Sequence, residues 1–212
     1  MPVATGRLTR RRDEIPCHRG DYKFKLINGK LQLKLTYGNA DEIISSMRKG
    51  DLDMAILPDL KTEYGVEFDR YASKFILEDE VWLVGSGKDA SMPTQITDLK
   101  DFGSRPVAAL IQSYPGFHKL LEKKLKEIGT QVDPVFETDN VGTLKRVVES
   151  GLGWGFMPAH SIRKQVRTRR LTHVHVDDLK YSVNINLYWL KGAGIEKKAE
   201  TFFRAIHQQT II

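Results

Sequence analysis

The sequence is poor in the features that mark secreted and membrane proteins. Cys17 is the one cysteine in 212 residues, so no disulfide can form within the chain and a reducing compartment is expected. No apolar run approaches the roughly 20 residues that cross a bilayer. The N-terminal sequence MPVATGRLTRRR is basic but lacks the apolar segment of a signal peptide. We therefore expect a soluble, cytoplasmic protein that does not contact membranes.

Signatures of catalysis are also missing, because we find no zinc-protease motif, no nucleophile elbow and no cysteine pair. His173 and His175 would share one face of a strand, but no carboxylate or cysteine pattern accompanies them, so we expect exposed strand histidines rather than metal ligands. Cys17 and His18 are adjacent, and neighbouring side chains diverge too far for a dyad. The glycines of Gly151–Gly155 follow a helix and precede a strand, the reverse of a phosphate-binding loop. We expect no enzyme activity, no metal and no cofactor.

Positive charge is in moderate excess, whereas the general composition is ordinary. Hydrophobic residues make up 41% and charged residues 28%, a globular balance that suits one large domain or two small ones. The formal net charge of +6 favours anionic partners without naming one. Five basic residues crowd one short segment: Arg163, Lys164, Arg167, Arg169 and Arg170. Such a run is usually a solvated face, so we expect only weak, salt-sensitive attraction to DNA.

Strand and helix patterns alternate in the first part of the chain. Residues 31–37 alternate apolar and polar side chains, which predicts a strand with one buried face. Asn39, with Glu42 three residues later, resembles a helix-capping pair, and the helix is expected to end at Gly50. Residues 54–57 form a short apolar strand closed by Pro58. The segment therefore predicts a βαβ unit whose two strands are parallel.

The same alternation returns after residue 100. Strands are predicted over residues 106–111, 132–137 and 154–157, separated by two helices that end near Gly129 and Gly151. Further strands are predicted over residues 80–84 and 182–189, one on each side of this region. The first of them is followed by a flexible segment, Gly85–Gly87. We predict two α/β lobes: residues 1–86 plus 187–212 form lobe one, and residues 87–186 form lobe two. Two crossovers between lobes can act as a hinge.

Small or polar residues occupy three predicted strand-to-helix junctions. Ligands of open α/β sheets bind at the carboxyl ends of strands, where helix N-termini offer unpaired N–H groups to an anion. The junctions are Tyr37-Gly38-Asn39, Gln112-Ser113-Tyr114 and Thr138-Asp139-Asn140. The alternative is that Asn39, Ser113 and Asn140 only cap their helices.

Four segments resemble the effector-binding domain of LysR-type transcriptional regulators. The segment LTYGNADEIISSMRKGDLDMAIL resembles their first lobe, FILEDEVWLVGSGKD their crossover strand, ITDLKDFGSRPVAALIQSYPG the start of their second lobe, and ETDNVGTLKRVVESGLGWGFMPAHSIRKQ a later part of it. The resemblance extends from Leu31 to the C-terminus and implies the two-lobed fold of type II periplasmic binding proteins, with a ligand cleft between the lobes. Residues 1–30 match poorly, and no site residue is transferred from them.

The resemblance implies a sensor of a small anionic metabolite that acts on a DNA-binding domain absent from this chain. It implies no catalytic residue, and it places the effector against Tyr37, Gly38, Asn39, Leu57, Pro58, Gln112, Ser113, Tyr114, Thr138, Asp139, Met157, Pro158 and Ala159. It also implies a homodimer or homotetramer, which contacts DNA only through the missing N-terminal domain. The alternatives are a solute-binding protein of a transport system on the same fold and an enzyme, because fold alone does not decide function.

Overall fold

The structure, a computed structural model, is of the predicted α/β class. It describes residues 3–7, 34–65, 69–96, 99, 107–110, 114–129, 131, 134–138 and 140–210. The strands are β1 (Val3–Arg7), β2 (Lys34–Gly38), β3 (Met54–Pro58), β4 (Tyr71–Ser86), β5 (Gln95–Ile96), β6 (Val107–Leu110), β7 (Pro134–Thr138), β8 (Trp154–Pro158), β9 (Leu171–Val176) and β10 (Ser182–Leu190). The helices are α1 (Ala40–Lys49), α2 (Leu60–Tyr64), α3 (Pro115–Glu127), α4 (Val141–Glu149), α5 (Ala159–Arg167) and α6 (Glu196–Thr210).

The chain divides into two compact units, each made of segments distant in sequence. The first unit contains Pro2–Lys61, Gly65–Leu77 and Asn184–Ile212, and the second contains Thr62–Tyr64 and Glu78–Val183. Strands β4 and β10 therefore each contribute residues to both units. Among the described residues, none of the helices combines the length and the apolar character needed to span a bilayer.

The first unit contains the strand order β2-β1-β3-β10. Strand β1 is antiparallel to both β2 and β3, so β2 and β3 run in the same direction but do not pair with each other. The predicted strand–helix–strand unit is therefore present with an additional strand, which sequence analysis did not predict, between its two strands. The side chains of Met54, Leu187, Ala199 and Phe202 are buried together where α6 packs on the sheet. Burial of such apolar side chains is the main stabilising contribution to a unit of this kind.

The second unit contains the order β4-β8-β6-β7, with β9 also paired to β4. Strand β6 is parallel to β7 and to β8, and α3 and α4 connect these strands in sequence. A cluster of side chains that are at most 5% exposed holds α4 and α5 on the sheet: Val84, Val141, Leu144, Val148, Met157, Ile162 and Leu171. This packing fixes the starts of α4 and α5 at the carboxyl ends of parallel strands, where ligands of such folds bind.

Candidate functional site

The starts of α3 and α5 converge on a buried carboxylate, Asp79 of β4. The Tyr114 hydroxyl, at the start of α3, donates to Asp79 Oδ2 at 3.0 Å. The backbone N–H of His160, in the first turn of α5, donates to Asp79 Oδ1 at 2.8 Å, and the His160 ring Nδ1 lies 2.6 Å from Oδ2. Asp79 is fully buried and Tyr114 is 2% exposed. One carboxylate thus links three elements of the second unit.

The pKa values of this cluster move in opposite directions. Burial raises the pKa of the Asp79 carboxyl, but the hydrogen bonds and charge of His160 outweigh it, so the pKa lies below its ordinary value. Burial, followed by the negative charge of Asp79, raises the pKa of Tyr114 well above its ordinary value. At pH 7 Asp79 is therefore an anionic acceptor and Tyr114 a neutral donor.

The lowered pKa of Asp79 predicts a loss of stability in acid. The folded-state pKa lies below the ordinary value of 3.8, so the stabilisation is present above that value and is lost as the pH falls through the folded-state pKa. The difference in free energy of unfolding between the wild-type chain and Asp79→Asn should therefore shrink progressively below about pH 4. Urea unfolding followed by circular dichroism in a series of buffers measures it, and a constant difference would contradict the prediction.

A second buried carboxylate, Glu63 of α2, lies against the start of α3. Its Oε2 accepts the Gly116 N–H at 3.0 Å, and its Oε1 accepts the hydroxyl of Tyr181. Burial and the Glu63 carboxylate both raise the pKa of Tyr181. A Cβ on Gly116 would overlap the Tyr181 hydroxyl, so a larger residue here would displace the Tyr181 side chain. Sequence analysis predicted that N–H groups at this helix start bind an anionic ligand. The Gly116 N–H instead donates to the Glu63 side chain of the protein itself.

The first unit has its own polar cluster at the carboxyl end of β3. Asn186 Nδ2 donates to Asp59 Oδ2 at 3.3 Å and to the Tyr188 hydroxyl at 3.2 Å. The Leu60 N–H donates to the same hydroxyl at 3.2 Å. Burial raises the pKa of Tyr188, which keeps the hydroxyl protonated. These groups present both donors and acceptors next to the predicted positions Leu57 and Pro58.

Two of the predicted junction residues cap helices. The Asn39 side chain accepts the Glu42 N–H at 2.9 Å, and the Asn140 side chain accepts the Thr143 N–H at 3.0 Å. The capping interpretation is thus confirmed for both residues. Thr138 Oγ1 accepts the Asn140 N–H at 3.1 Å, a bond that does not use the hydroxyl proton.

The other predicted positions differ in what they can offer a ligand. Leu57, Met157 and Ala159 are each 0% exposed, and their side chains are apolar. Pro58 and Pro158 are also buried, and Gly38 ends β2. Tyr114 is committed to Asp79. Gln112, Ser113 and Asp139 lie outside the described residues. The side chain of Tyr37 lies outside them as well.

Sequence analysis missed the groups that organise both clusters, most clearly Asp79 and Glu63. Asp79 lies in the acidic run Glu78-Asp79-Glu80, a composition that is typical of solvent-exposed residues. Because side chains alternate between the two faces of a strand, Asp79 faces the opposite way from the two exposed glutamates, and this alternation was the one available sign of a buried carboxylate. His160 directly follows the predicted position Ala159. Glu63 had no sequence signal, because its partners Gly116 and Tyr181 are more than 50 residues away along the chain.

The histidines of β9 differ from the prediction in one respect. His175 is exposed as expected, but His173 is half-buried, so the prediction of two exposed histidines is wrong for His173. The reason is that its ring stacks on Trp82, with ring centroids 4.3 Å apart. Within the part of the chain that the structure describes, no group of three or more histidine, cysteine, aspartate or glutamate residues could hold a metal ion.

Comparisons with known proteins agree on one family. The family model for the LysR substrate binding domain matches residues 23–210. The bromide ion-bound regulatory domain of HypT from Salmonella typhimurium superimposes with a TM-score of 0.61 at 17% identity, over 82% of this chain and 80% of that one. The effector binding domain of QuiR in complex with shikimate gives 0.58 at 19% identity, over 81% and 78%. No curated protein sequence shows a significant match.

One similar structure is of a longer chain. DarR from Vibrio fischeri, crystallised in complex with DNA, superimposes with a TM-score of 0.66 at 20% identity, over 87% of this chain and 60% of that one. This chain therefore spans about 60% of the length of DarR. At these identities the structural likenesses establish the two-lobed fold of the periplasmic-binding-protein type that sequence analysis predicted.

Proposed function

The chain belongs to the family of LysR substrate binding domains, and we propose that it is the effector-sensing domain of a LysR-type transcriptional regulator. The observation that carries the proposal is the match of the family model over residues 23–210. The bromide ion bound to the HypT domain and the shikimate bound to the QuiR domain support a sensor of small molecules. The proposed role is regulatory and uses no catalytic group.

We propose a small anionic metabolite as the effector, in the position between lobes that the family resemblance implies. The net charge of +6 and the helix start that follows β7 support this charge. Glu63 already binds the Gly116 N–H at the start of α3, and Asp79 already binds the His160 N–H at the start of α5, so the start of α4 is the proposed anion site. There, Thr138 is the proposed direct contact, because it retains a hydroxyl proton to donate to a carboxylate.

The experiment is a thermal-shift screen of small carboxylates and phosphates, followed by calorimetric titration of the compound that stabilises the chain. A ligand at 100 times its dissociation constant should stabilise the fold by about 2.7 kcal/mol. Failure of every anion to stabilise the chain, combined with stabilisation by uncharged or cationic analogues, would contradict the proposed charge of the effector.

Thr138→Val is expected to weaken binding of this anion at least tenfold, because a hydrogen bond to a charged group contributes about 1.5–3 kcal/mol. The matched control is Thr168→Val, since the Thr168 hydroxyl donates to Lys164 O and Gln165 O at the far end of α5. It should leave the dissociation constant unchanged. Thr138→Val also removes the bond to the Asn140 N–H, so the unliganded free energy of unfolding is measured separately. Equal affinities of the two variants would exclude Thr138 as a contact.

The complex of DarR with DNA supports DNA as the final target of such a regulator. We propose that this chain acts on DNA through a separate DNA-binding domain, as a homodimer or homotetramer in the cytoplasm. The proposed contribution of the basic segment 163–170 is weak and independent of DNA sequence, because phosphate contacts carry no sequence information.

A further inference from the structure

The His160 ring is held at one of its two nitrogens by a buried carboxylate. Nδ1 lies 2.6 Å from Asp79 Oδ2, and the backbone N–H of the same histidine donates to Asp79 Oδ1 at 2.8 Å. Asp79 is fully buried, and its carboxylate can only accept, so Nδ1 carries the proton of this bond. The carboxylate therefore fixes both the tautomer and the direction of the ring.

The other ring nitrogen, Nε2, remains available. No described residue forms a hydrogen bond with it. It is not buried either, since the buried side-chain polar atoms that lack a partner in the described ranges are Gln165 Oε1 and Trp189 Nε1. The His160 side chain is 14% exposed, whereas the neighbouring Ser161 hydroxyl already donates to Pro158 O at 2.7 Å. A ligand at the start of α5 would therefore meet one oriented side-chain atom whose hydrogen bond is unused.

The chemistry of Nε2 suits a hydroxyl group. While the ring is neutral, Nε2 has a lone pair and no proton, so it accepts a hydrogen bond and has nothing to donate to a carboxylate. When the ring is protonated, the Nε2–H donates instead. A hydroxyl group both donates and accepts, so it can pair with Nε2 in either state of the ring.

His160 lies within reach of a small molecule bound at the start of α4. Thr138 ends β7, and His160 follows the end of β8 by two residues. Both strands run parallel to β6, which lies between them. Their carboxyl ends therefore lie at the same edge of the sheet, about 10 Å apart, which is twice the spacing of neighbouring strands. A small metabolite with a polar group at each end can span this distance.

We propose that the effector is a hydroxy acid, whose hydroxyl group pairs with His160 Nε2 while its carboxylate binds at the start of α4. This inference rests on the proposed effector site and adds the second polar group of the ligand. An acid without the hydroxyl group would cover Nε2 and leave it without a hydrogen bond. Because an unpaired, desolvated polar atom costs more than a missing contact, His160 discriminates between the two acids.

Matched pairs of acids that differ by one hydroxyl group test the proposal: lactate with propionate, malate with succinate, and para-hydroxybenzoate with benzoate. Each acid is titrated into the intact chain by calorimetry at neutral pH. We expect the hydroxy acid of at least one pair to bind at least tenfold more tightly than its partner, a difference of about 1.4 kcal/mol. We also expect it to shift the side-chain resonances of His160, which are assigned with a His160→Gln variant.

Two variants of His160 separate contact with the ligand from contact with Asp79. A glutamine amide reaches the position of Nε2, so His160→Gln should retain most of the preference for the hydroxy acid. An asparagine amide reaches only the position of Nδ1, so His160→Asn keeps a donor for Asp79 but should bind both acids of the pair with similar affinity. The matched control is His175→Asn, because His175 also pairs with an aspartate, Asp177, but lies on β9. Urea unfolding without ligand establishes that each variant is folded.

The possible outcomes separate this inference from the proposed function. The hydroxy-acid inference is overturned by equal affinity within every pair, by a preference that persists in His160→Asn, or by loss of the preference in His175→Asn. It is also overturned if none of these acids binds up to about 10 mM while other anions stabilise the chain, and the proposed anionic effector then stands. If no anion of any kind binds, the proposed charge of the effector is wrong as well.

Discussion

Replacing Asp79 with alanine is expected to lower the free energy of unfolding by about 4 kcal/mol, because it breaks a buried charged network by removing one partner. The change leaves the Tyr114 hydroxyl and the His160 backbone N–H without the acceptor they share. Both groups lie where water is excluded or scarce, so their lost hydrogen bonds are not replaced by solvent. Chemical unfolding of the wild-type chain and the variant at pH 7 measures the difference.

Two controls separate burial from charge in this prediction. Asp79→Asn retains an acceptor for the His160 N–H, so it should cost about half as much as alanine. Glu200→Ala removes a solvent-accessible carboxylate that pairs with Lys74 and Arg204, and ion pairs in contact with solvent contribute little to stability. A loss for Asp79→Ala no larger than the loss for Glu200→Ala would show that the buried network does not stabilise the fold.

Gly87→Ala is expected to destabilise the chain by about 3 kcal/mol, because overfilling a packed site forces backbone displacement. A Cβ on Gly87 would overlap the carbonyl oxygen of Arg169 and lie 2.9 Å from the carbonyl carbon of Arg170. The Gly87 N–H also donates to Arg170 O at 3.0 Å, which holds the two backbones together. Sequence analysis attributed the Gly85–Gly87 segment to flexibility, whereas the structure requires glycine at position 87 for close backbone approach.

The matched substitution Gly85→Ala tests this reason. A Cβ on Gly85 would meet the terminal atoms of Met92, a flexible side chain that can move at little cost, and would lie 3.3 Å from Trp154 Cδ1, which requires a shift of only a few tenths of an ångström. Its expected loss in free energy of unfolding is therefore below about 1 kcal/mol. Equal losses for the two alanine variants would mean that the backbone contact with Arg169 is not the cause.

Local pattern was sufficient to predict most of the individual elements. The Asn39 cap and the Gly50 end of α1 are confirmed, the latter with a φ of 77° that favours glycine. The helix after Asn140 and the long strand from Ser182 are likewise present at nearly the predicted positions. Each of these depends on residues within about four positions of one another, so hydrophobic period and capping chemistry determine them without tertiary information.

Strand neighbours could not be predicted in the same way. The segment Val3–Arg7 has a mixed composition, and it is a strand because it pairs with both β2 and β3. The two strands of the predicted βαβ unit are therefore separated by a strand from the start of the chain. Pairing of this kind depends on backbone hydrogen bonds between distant segments, which the alternation of side chains within one segment does not specify.

The sequence by itself determined the α/β class, the family and the helix caps, because these depend on short motifs and local periodicity. The tertiary structure decided which polar side chains work together. Asp79 is a buried anion because Tyr114 and His160 reach it from other elements, and Glu63 occupies the start of α3 because α2 lies beside Gly116. The charge state and availability of a polar group follow from its surroundings in three dimensions, and those are supplied by residues far away in the sequence.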